Sequence, residues 1–136
     1  MLTHICSFCA IVKGGSPAEV IYEDELTIAF TAHAPVTEGH MLLIPKTHTE
    51  NLFDISDALA AAIGLAVKNT AIVLSSRHQV TGVNLVHASG PDAQQSVLHF
   101  HHHLVPRRHL DGLDMWLRTT EWQWSKWSIV RFGCCE

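Results

Sequence analysis

The chain is organised around one histidine-rich stretch, His99-Phe100-His101-His102-His103-Leu104-Val105. Because every second residue from 99 to 103 is a histidine and apolar residues follow, we predict a β-strand over residues 97–105. Alternate side chains of a strand share a face, so the imidazoles at 99, 101 and 103 would form one row, about 6.5–7 Å apart from Cα to Cα. Three titratable rings in one row exceed what folding requires. We therefore predict that this row is the functional centre.

The remaining composition is that of an ordinary globular protein, with 47% hydrophobic and 16% charged residues. A length of 136 residues suits one domain with its own core. The net charge of −4 gives no general basic surface, so we expect no nucleic-acid partner. Apolar stretches such as residues 63–73 are interrupted by Lys68 and Asn69, and the first residues do not resemble a signal peptide. We therefore expect no membrane segment and a cytoplasmic location.

The order of the predicted elements around this strand defines the fold class. A helical turn is expected over residues 6–13, and a helix over about residues 57–74 with Ser56 as its N-cap. The other strands are expected over residues 20–22, 26–31, 41–44 and 83–86, with a hairpin turn at 23–25. Strands, then a helix, then strands with short connections indicate an α+β domain, in which an antiparallel sheet is covered on one face by the helix.

The histidine row is compatible with two kinds of chemistry. The three rings could bind one metal ion, or one ring could attack an electrophile while its neighbours hold an anion. Gln95 and Ser96 come just before the row, and an amide with a hydroxyl could bind phosphate oxygens or a leaving group. Phosphoryl transfer to a nitrogen nucleophile needs little beyond positioning, donors for the oxygens and a proton for the leaving group.

The four cysteines fall into two pairs, Cys6 with Cys9 and the adjacent Cys134 and Cys135. In a reducing cytoplasm, thiols are metal ligands or free groups more often than disulfides. Adjacent cysteines chelate one metal with poor geometry, so we interpret the second pair as incidental. The first pair has the spacing of a metal-binding turn.

Several further segments agree with one known family. Five motifs occur in the order in which that family carries them, and the match covers about residues 6–108. They are Cys6-Ser7-Phe8-Cys9, Pro35-Val36-Thr37-Glu38-Gly39-His40, Leu43-Ile44-Pro45-Lys46-Thr47-His48, the histidine stretch, and its flanks Gln95-Ser96-Val97 and Pro106-Arg107. The chain therefore resembles the histidine-triad (HIT) superfamily, in its zinc-containing Hint-like branch.

The resemblance implies a HIT-like α+β fold, in which a five-stranded antiparallel sheet carries one long helix and a short N-terminal helix. It also implies a homodimer and a zinc set of Cys6, Cys9, His48 and His99. Two thiolates and two imidazoles would close a tetrahedral site, which is typical of structural rather than catalytic zinc.

For the activity, the resemblance implies a nucleotidyl hydrolase or transferase that acts at the α-phosphorus of a nucleoside 5′-phosphoramidate or a related nucleoside phosphate. His101 would be the nucleophile and would form a transient nucleotidyl-imidazole, while His103 would bond the phosphate oxygens. Gln95 and Ser96 would hold the phosphate, with Ser96 near the leaving group. The alternative is a nucleotide-binding regulatory module with weak or no turnover.

Substrate recognition is where the chain departs from the family pattern. The family usually has an aspartate for the ribose hydroxyls where this chain has Ala32, and a hydrophobic residue against the base where it has His33. The family also tends to have an asparagine at the position of Ala88. We retain His33 and Ser89, together with Gln95 and His103, as the predicted substrate contacts.

The C-terminal segment lies beyond the resemblance. We expect a HIT domain over residues 1–110 and, over residues 111–136, a tryptophan-rich extension of that same domain. The exposed area of four tryptophans in a polar setting calls for a covering surface, either a subunit interface or a lid over the site. The four are Trp116, Trp122, Trp124 and Trp127.

Overall fold

The structure is a computed structural model that describes residues 6–77 and 79–115. Its helices are α1 (Ser7–Val12) and α2 (Asp57–Ser75). Its strands are β1 (Val20–Glu23), β2 (Thr27–Thr31), β3 (Met41–Pro45), β4 (Gly82–His87) and β5 (His102–Arg107). The predictions for the four tryptophans and for Cys134 and Cys135 lie outside the described residues.

The five strands form one antiparallel sheet in the order β1-β2-β3-β5-β4. This arrangement, with its long and short helices, confirms the α+β prediction. A single row of paired residues crosses four of the strands: His103 faces Leu42, which faces Phe30, which faces Val20. Because paired residues of antiparallel strands point to the same face, this row links the histidine motif to the first hairpin.

Helix α2 covers one face of the sheet. Its N-cap is Ser56 as predicted, since the backbone N–H of Leu59 donates to the Ser56 hydroxyl. The helix is long and apolar enough by composition to cross a membrane, but one stripe of it is buried against the sheet. That stripe consists of Ile63, Ala66, Thr70 and Leu74, and it packs on a core that includes Ala29, Leu43 and Leu104.

The short helix α1 covers part of the opposite face. Its Phe8 is buried in a second apolar cluster with Ile28, Phe30 and Ile44. The rings of Phe8 and Phe30 meet edge to face, with their centroids 5.7 Å apart. The histidine site described below lies on this side of the sheet, so α1 forms one of its walls.

The prediction of a histidine strand over residues 97–105 is wrong in its boundaries, because β5 begins only at His102. The backbone N–H of Phe100 donates to the carbonyl of Thr49, 2.6 Å away, which holds this segment to the loop after β3 rather than in the sheet ladder. Of the three alternating histidines, only His103 therefore lies within a strand. The three rings do not form a strand row, and His99 turns away toward α1.

Candidate functional site

Four side chains from three parts of the chain meet beside α1. They are Cys6 and Cys9 of the N-terminal turn, His48 from the loop after β3, and His99 from the segment before β5. Their ligand atoms all lie within 4.8 Å of one another. The Nδ1 atom of His99 is 3.4 Å from the Cys6 sulfur and 3.6 Å from the Cys9 sulfur, and Nδ1 of His48 is 3.3 Å from the Cys9 sulfur. The structure thus brings together all four predicted metal ligands.

The donor set fits a tetrahedral divalent metal of the zinc type. Bond lengths of about 2.3 Å to sulfur and 2.0–2.1 Å to nitrogen place tetrahedral ligand atoms roughly 3.3–3.8 Å apart, which matches the sulfur–nitrogen distances. The Nε2–H of His99 donates to the Pro45 carbonyl, 2.9 Å away, which leaves Nδ1 with its lone pair toward the thiols. Burial raises the pKa of the Cys9 thiol, and Cys6 raises it further. A bound cation would displace these protons.

Two rings of the triad, those of His101 and His103, lie outside the cysteine cluster. His101 is the more buried of the two. Its side chain is only 3% exposed, and burial lowers its pKa, so the ring is neutral near pH 7. The Nδ1–H donates to the backbone carbonyl of His99, 2.7 Å away. This bond assigns the tautomer in which Nε2 carries the lone pair. Among the described residues, the hydrogen bond of the His101 ring is the one from Nδ1, so the lone pair on Nε2 is available to a ligand.

His103 is held by a chain of hydrogen bonds that begins on the backbone. The N–H of Val36 donates to Nδ1 of His40, 3.2 Å away, so the proton of that ring is on Nε2. Nε2–H of His40 then donates to Nδ1 of His103, 2.9 Å away. Burial lowers the pKa of both rings, that of His103 to about 4, so both are neutral near pH 7. The proton of His103 is therefore on Nε2, where it can be donated to an anion.

The rings of His101 and His103 are neighbours, with their centroids 5.2 Å apart. One of them presents a lone pair and the other an N–H, although both are neutral imidazoles. The difference arises from their partners, a carbonyl acceptor for His101 and an imidazole donor for His103. This pairing is what a nucleophile beside an oxyanion donor requires.

An apolar cavity of about 710 Å³ opens beside this pair. Phe8 connects the cavity with the histidine pair. It lines the cavity, and its ring meets the His101 ring edge to face, with centroids 5.4 Å apart. Phe30 and Leu42 line the cavity in the row that ends at His103. The predicted substrate contact His33 lies at its exposed rim. The size and lining suit a flat organic group.

The loop before the histidines positions two further predicted site residues, Gln95 and Ser96. Ser96 is exposed, three residues before His99. The amide of Gln95 is engaged within the protein, because Oε1 accepts from the N–H of Gly90 and Nε2 donates to the carbonyls of Glu50 and Val97. These hydrogen bonds of Gln95 stabilise the loop that carries Ser96.

Ser89 and His102 belong to a cluster on the other side of the motif. His87 donates from Nδ1 to the carbonyl of His101, and the Ser89 hydroxyl donates to Nε2 of His87. His102 packs against the rings of His87 and Phe100, with centroids 4.8 and 5.1 Å away. The buried Nδ1 of His102 has no hydrogen-bond partner among the described residues. Burial lowers the pKa of His102 to about 4, so the ring stays neutral.

Sequence reasoning missed two residues that shape the site. His40 is assigned no role in the predicted site, yet its hydrogen bond determines the tautomer of His103. The available signal was its position two residues before Leu42 on β3, since Leu42 pairs with His103. His87 gave no local signal, because its contact with the His101 carbonyl depends on the pairing of β4 with β5.

Comparison with known proteins agrees with the resemblance to the HIT superfamily. The sequence model of the HIT domain family matches residues 13–110. The chain belongs to the HIT family. This HIT chain is 41% identical over 102 residues to the protein hit of Bacillus subtilis, which covers 75% of this chain and 70% of that protein. It is 31% identical over 112 residues to the Arabidopsis thaliana protein named adenylylsulfatase HINT3, covering 82% of this chain and 57% of that one.

Solved HIT structures share the fold. A HIT family protein from Bacillus anthracis superimposes with a TM-score of 0.79 at 35% identity, over 86% of this chain and 84% of that one. A Zn-bound histidine triad family protein from Mycobacterium smegmatis superimposes with a TM-score of 0.72 at 42% identity, over 81% and 80% of the two chains. The five-stranded HIT architecture of this chain is therefore found in proteins of similar sequence.

Proposed function

We propose that this chain is a HIT hydrolase or transferase that cleaves a nucleoside 5′-phosphoramidate, or a related nucleoside phosphate, at the α-phosphorus. The observation that carries the proposal is the pairing of two neutral rings, the lone pair on Nε2 of His101 beside the N–H on Nε2 of His103. The apolar cavity next to them supports a nucleoside as the group that positions the phosphorus. A relative whose name describes hydrolysis of an adenylyl compound adds support.

The reaction divides into two steps on His101. In the first, Nε2 forms a bond to phosphorus while the bond from phosphorus to the leaving amine breaks, and the amine takes up a proton passed on by the Ser96 hydroxyl from solvent. The charge gained by the imidazole is stabilised by its Nδ1–H bond to the His99 carbonyl. In the second, water adds to phosphorus and releases a proton, and the bond to Nε2 breaks. His103 donates to a non-bridging oxygen in both steps.

We also propose that the Cys6, Cys9, His48 and His99 cluster binds a structural zinc ion, as in the Hint-like branch. The ion would supply a rigid link between α1 and the segment before β5, with no direct part in the chemistry. The support is the donor set, the orientation of His99 by Pro45, and the Zn-bound neighbour of similar fold.

A cytoplasmic homodimer completes the proposal. Strand β4 is at the edge of the sheet, where Leu85 and Val86 are 50% and 38% exposed. An edge that no other described strand covers, with apolar side chains, is a surface that a second copy can cover, and pairing the two edges would join the sheets. Cys6 and Cys9 are not joined by a disulfide, which suits a reducing compartment.

Trapping the covalent intermediate tests the proposed reaction. The protein is mixed with adenosine 5′-phosphoramidate carrying a labelled phosphate and quenched in alkali within milliseconds, because bonds between phosphorus and imidazole survive alkali better than acid. We expect the label on a peptide that contains His101. Turnover without any labelled protein would instead indicate direct attack by water, and label on another residue would contradict the assignment of His101.

A separate prediction concerns His40 as the residue that positions His103. Replacing His40 with leucine removes the donor that holds the His103 proton on Nε2, so kcat should fall about 10–100-fold with a smaller change in KM. His40→Gln keeps an amide that can accept from Val36 and donate to His103, and it should recover much of kcat. The measurement is steady-state hydrolysis of the phosphoramidate. Equal loss in the two variants would assign His40 to packing alone.

A further inference from the structure

We infer that Glu19 supplies the carboxylate that holds the ribose hydroxyls of the substrate, in place of the aspartate that position 32 lacks. The inference deepens the proposed function and rests on a nucleoside occupying the cavity beside His101. It assigns a specificity-determining role to a residue on the first hairpin, outside every motif that identified the family.

The first support is the composition of the cavity wall. Of the eleven residues that line it, Glu19 is the one with a carboxylate, and the other ionisable side chain is that of His33. Much of the rest of the wall is apolar, as the rings of Phe8 and Phe30 illustrate. A ribose diol needs an acceptor, and a charged one gives the stronger hydrogen bond. Glu19 is the charged acceptor that the cavity offers.

The second support is the position of Glu19 relative to Ala32. The N–H of Thr31 donates to the Glu19 carbonyl, 3.0 Å away, so Glu19 lies across from the residue that precedes Ala32. Neighbouring strands are about 4.8 Å apart, a gap that a glutamate side chain can span. Ala32 also lines the cavity and has only a methyl group, so it leaves open the space that a larger side chain would fill.

The third support is that the Glu19 side chain is available. It is exposed, and among the residues that the structure describes no hydrogen bond or ion pair engages its carboxylate. Glu23, at the far end of β1, is already paired with Lys46, with nitrogen and oxygen 2.8 Å apart. A carboxylate at a cavity rim without a protein partner keeps its acceptor capacity for a ligand.

The test compares two ligands that differ only in the diol, AMP and 2′,3′-dideoxy-AMP, by titration calorimetry. We expect the unmodified protein to bind AMP about 10-fold or more tightly than the dideoxy compound, as the loss of a hydrogen bond to a charged group predicts. Glu19→Gln should reduce that ratio to near one by weakening AMP alone. The matched control is Glu25→Gln, which removes the same charge from an exposed turn outside the cavity wall.

A second variant distinguishes loss of the carboxylate from a folding defect in Glu19→Gln. Glu19→Gln combined with Ala32→Asp returns a carboxylate from the residue that follows β2, and recovery of the preference for AMP supports the inference. Equal affinities for AMP and the dideoxy compound in the unmodified protein, or an unchanged ratio in Glu19→Gln, overturn it.

These outcomes separate the inference from the proposed function. Preference for the diol that depends on Glu19, without hydrolysis of the phosphoramidate, would contradict the enzyme and retain the Glu19 contact. Hydrolysis that depends on His101, with no preference for the diol, would retain the enzyme and contradict the Glu19 contact. If the protein does not bind AMP at all, the cavity is not a nucleoside site, and the proposed contact between Glu19 and the ribose is contradicted as well.

Discussion

Replacing His101 with alanine should lower the turnover of adenosine 5′-phosphoramidate by about 10³–10⁶-fold, the range seen when a nucleophile is removed from an enzyme site. The variant loses the lone pair that would form the proposed bond to phosphorus, and no neighbouring ring could take its place. His103 cannot, because the hydrogen bond from His40 holds its own lone pair on Nδ1, away from the substrate. Single-turnover kinetics at saturating substrate measure the effect on the chemical step.

Two controls distinguish loss of chemistry from loss of structure. His109→Ala removes an exposed histidine outside the site and should leave turnover unchanged. His101→Gly leaves a space in which free imidazole can bind, and added imidazole should restore part of the rate. A rate for His101→Ala within tenfold of that of the unmodified protein would contradict the covalent route and favour a binding module or attack by water.

The second large effect is expected from the double substitution Cys6→Ser, Cys9→Ser. Zinc content should fall from one ion per subunit to none, because two of four ligands are lost. If free zinc is at 1,000 times its Kd, binding stabilises the folded state by about 4 kcal/mol, which corresponds to a Tm about 10–20 °C higher for a domain of this size. Metal analysis after dialysis and calorimetric melting measure the two quantities.

Turnover should fall in the same double variant, although neither Cys6 nor Cys9 lines the cavity. The proposed metal would hold His99, whose carbonyl accepts the Nδ1–H of His101, and would hold α1, whose Phe8 contacts the His101 ring. His101→Ala should keep its zinc, which separates the metal site from the nucleophile. The matched control is Cys134→Ser, Cys135→Ser. Loss of zinc in that control, or an unchanged Tm in the first double variant, would contradict the assignment of the ligands.

The architecture of this protein could be predicted from local patterns. Alternation and apolar runs placed four of the five strands within about two residues, and the Ser56 signal placed the start of α2. These elements depend on the residues within them, so their periodicity is visible in the chain. The predicted bounds of the histidine strand were wrong because the N–H of Phe100 donates to the carbonyl of Thr49. Thr49 is far from Phe100 in the sequence, so no local pattern could indicate this contact.

Site residues could be predicted as a set because the motif order is typical of one family. Their separate roles could not be derived from spacing. Within the histidine stretch, one ring meets two thiols, one donates to a carbonyl, one packs against another imidazole and one accepts from His40. Local spacing cannot distinguish the roles of the four rings, since each is an imidazole on the same short segment.

Sequence alone was therefore sufficient for the family, the sheet with its covering helix, and the collection of imidazoles and thiols near one another. Folding in three dimensions was needed to assign each imidazole its tautomer and its direction. The physical reason is that a neutral imidazole is equally able to donate from either nitrogen until a partner selects one. Here two of the partners, Pro45 and His40, come from β3 and the residue before it, which the pairing of β3 with β5 brings to the motif. The third is the carbonyl of His99, within the motif itself.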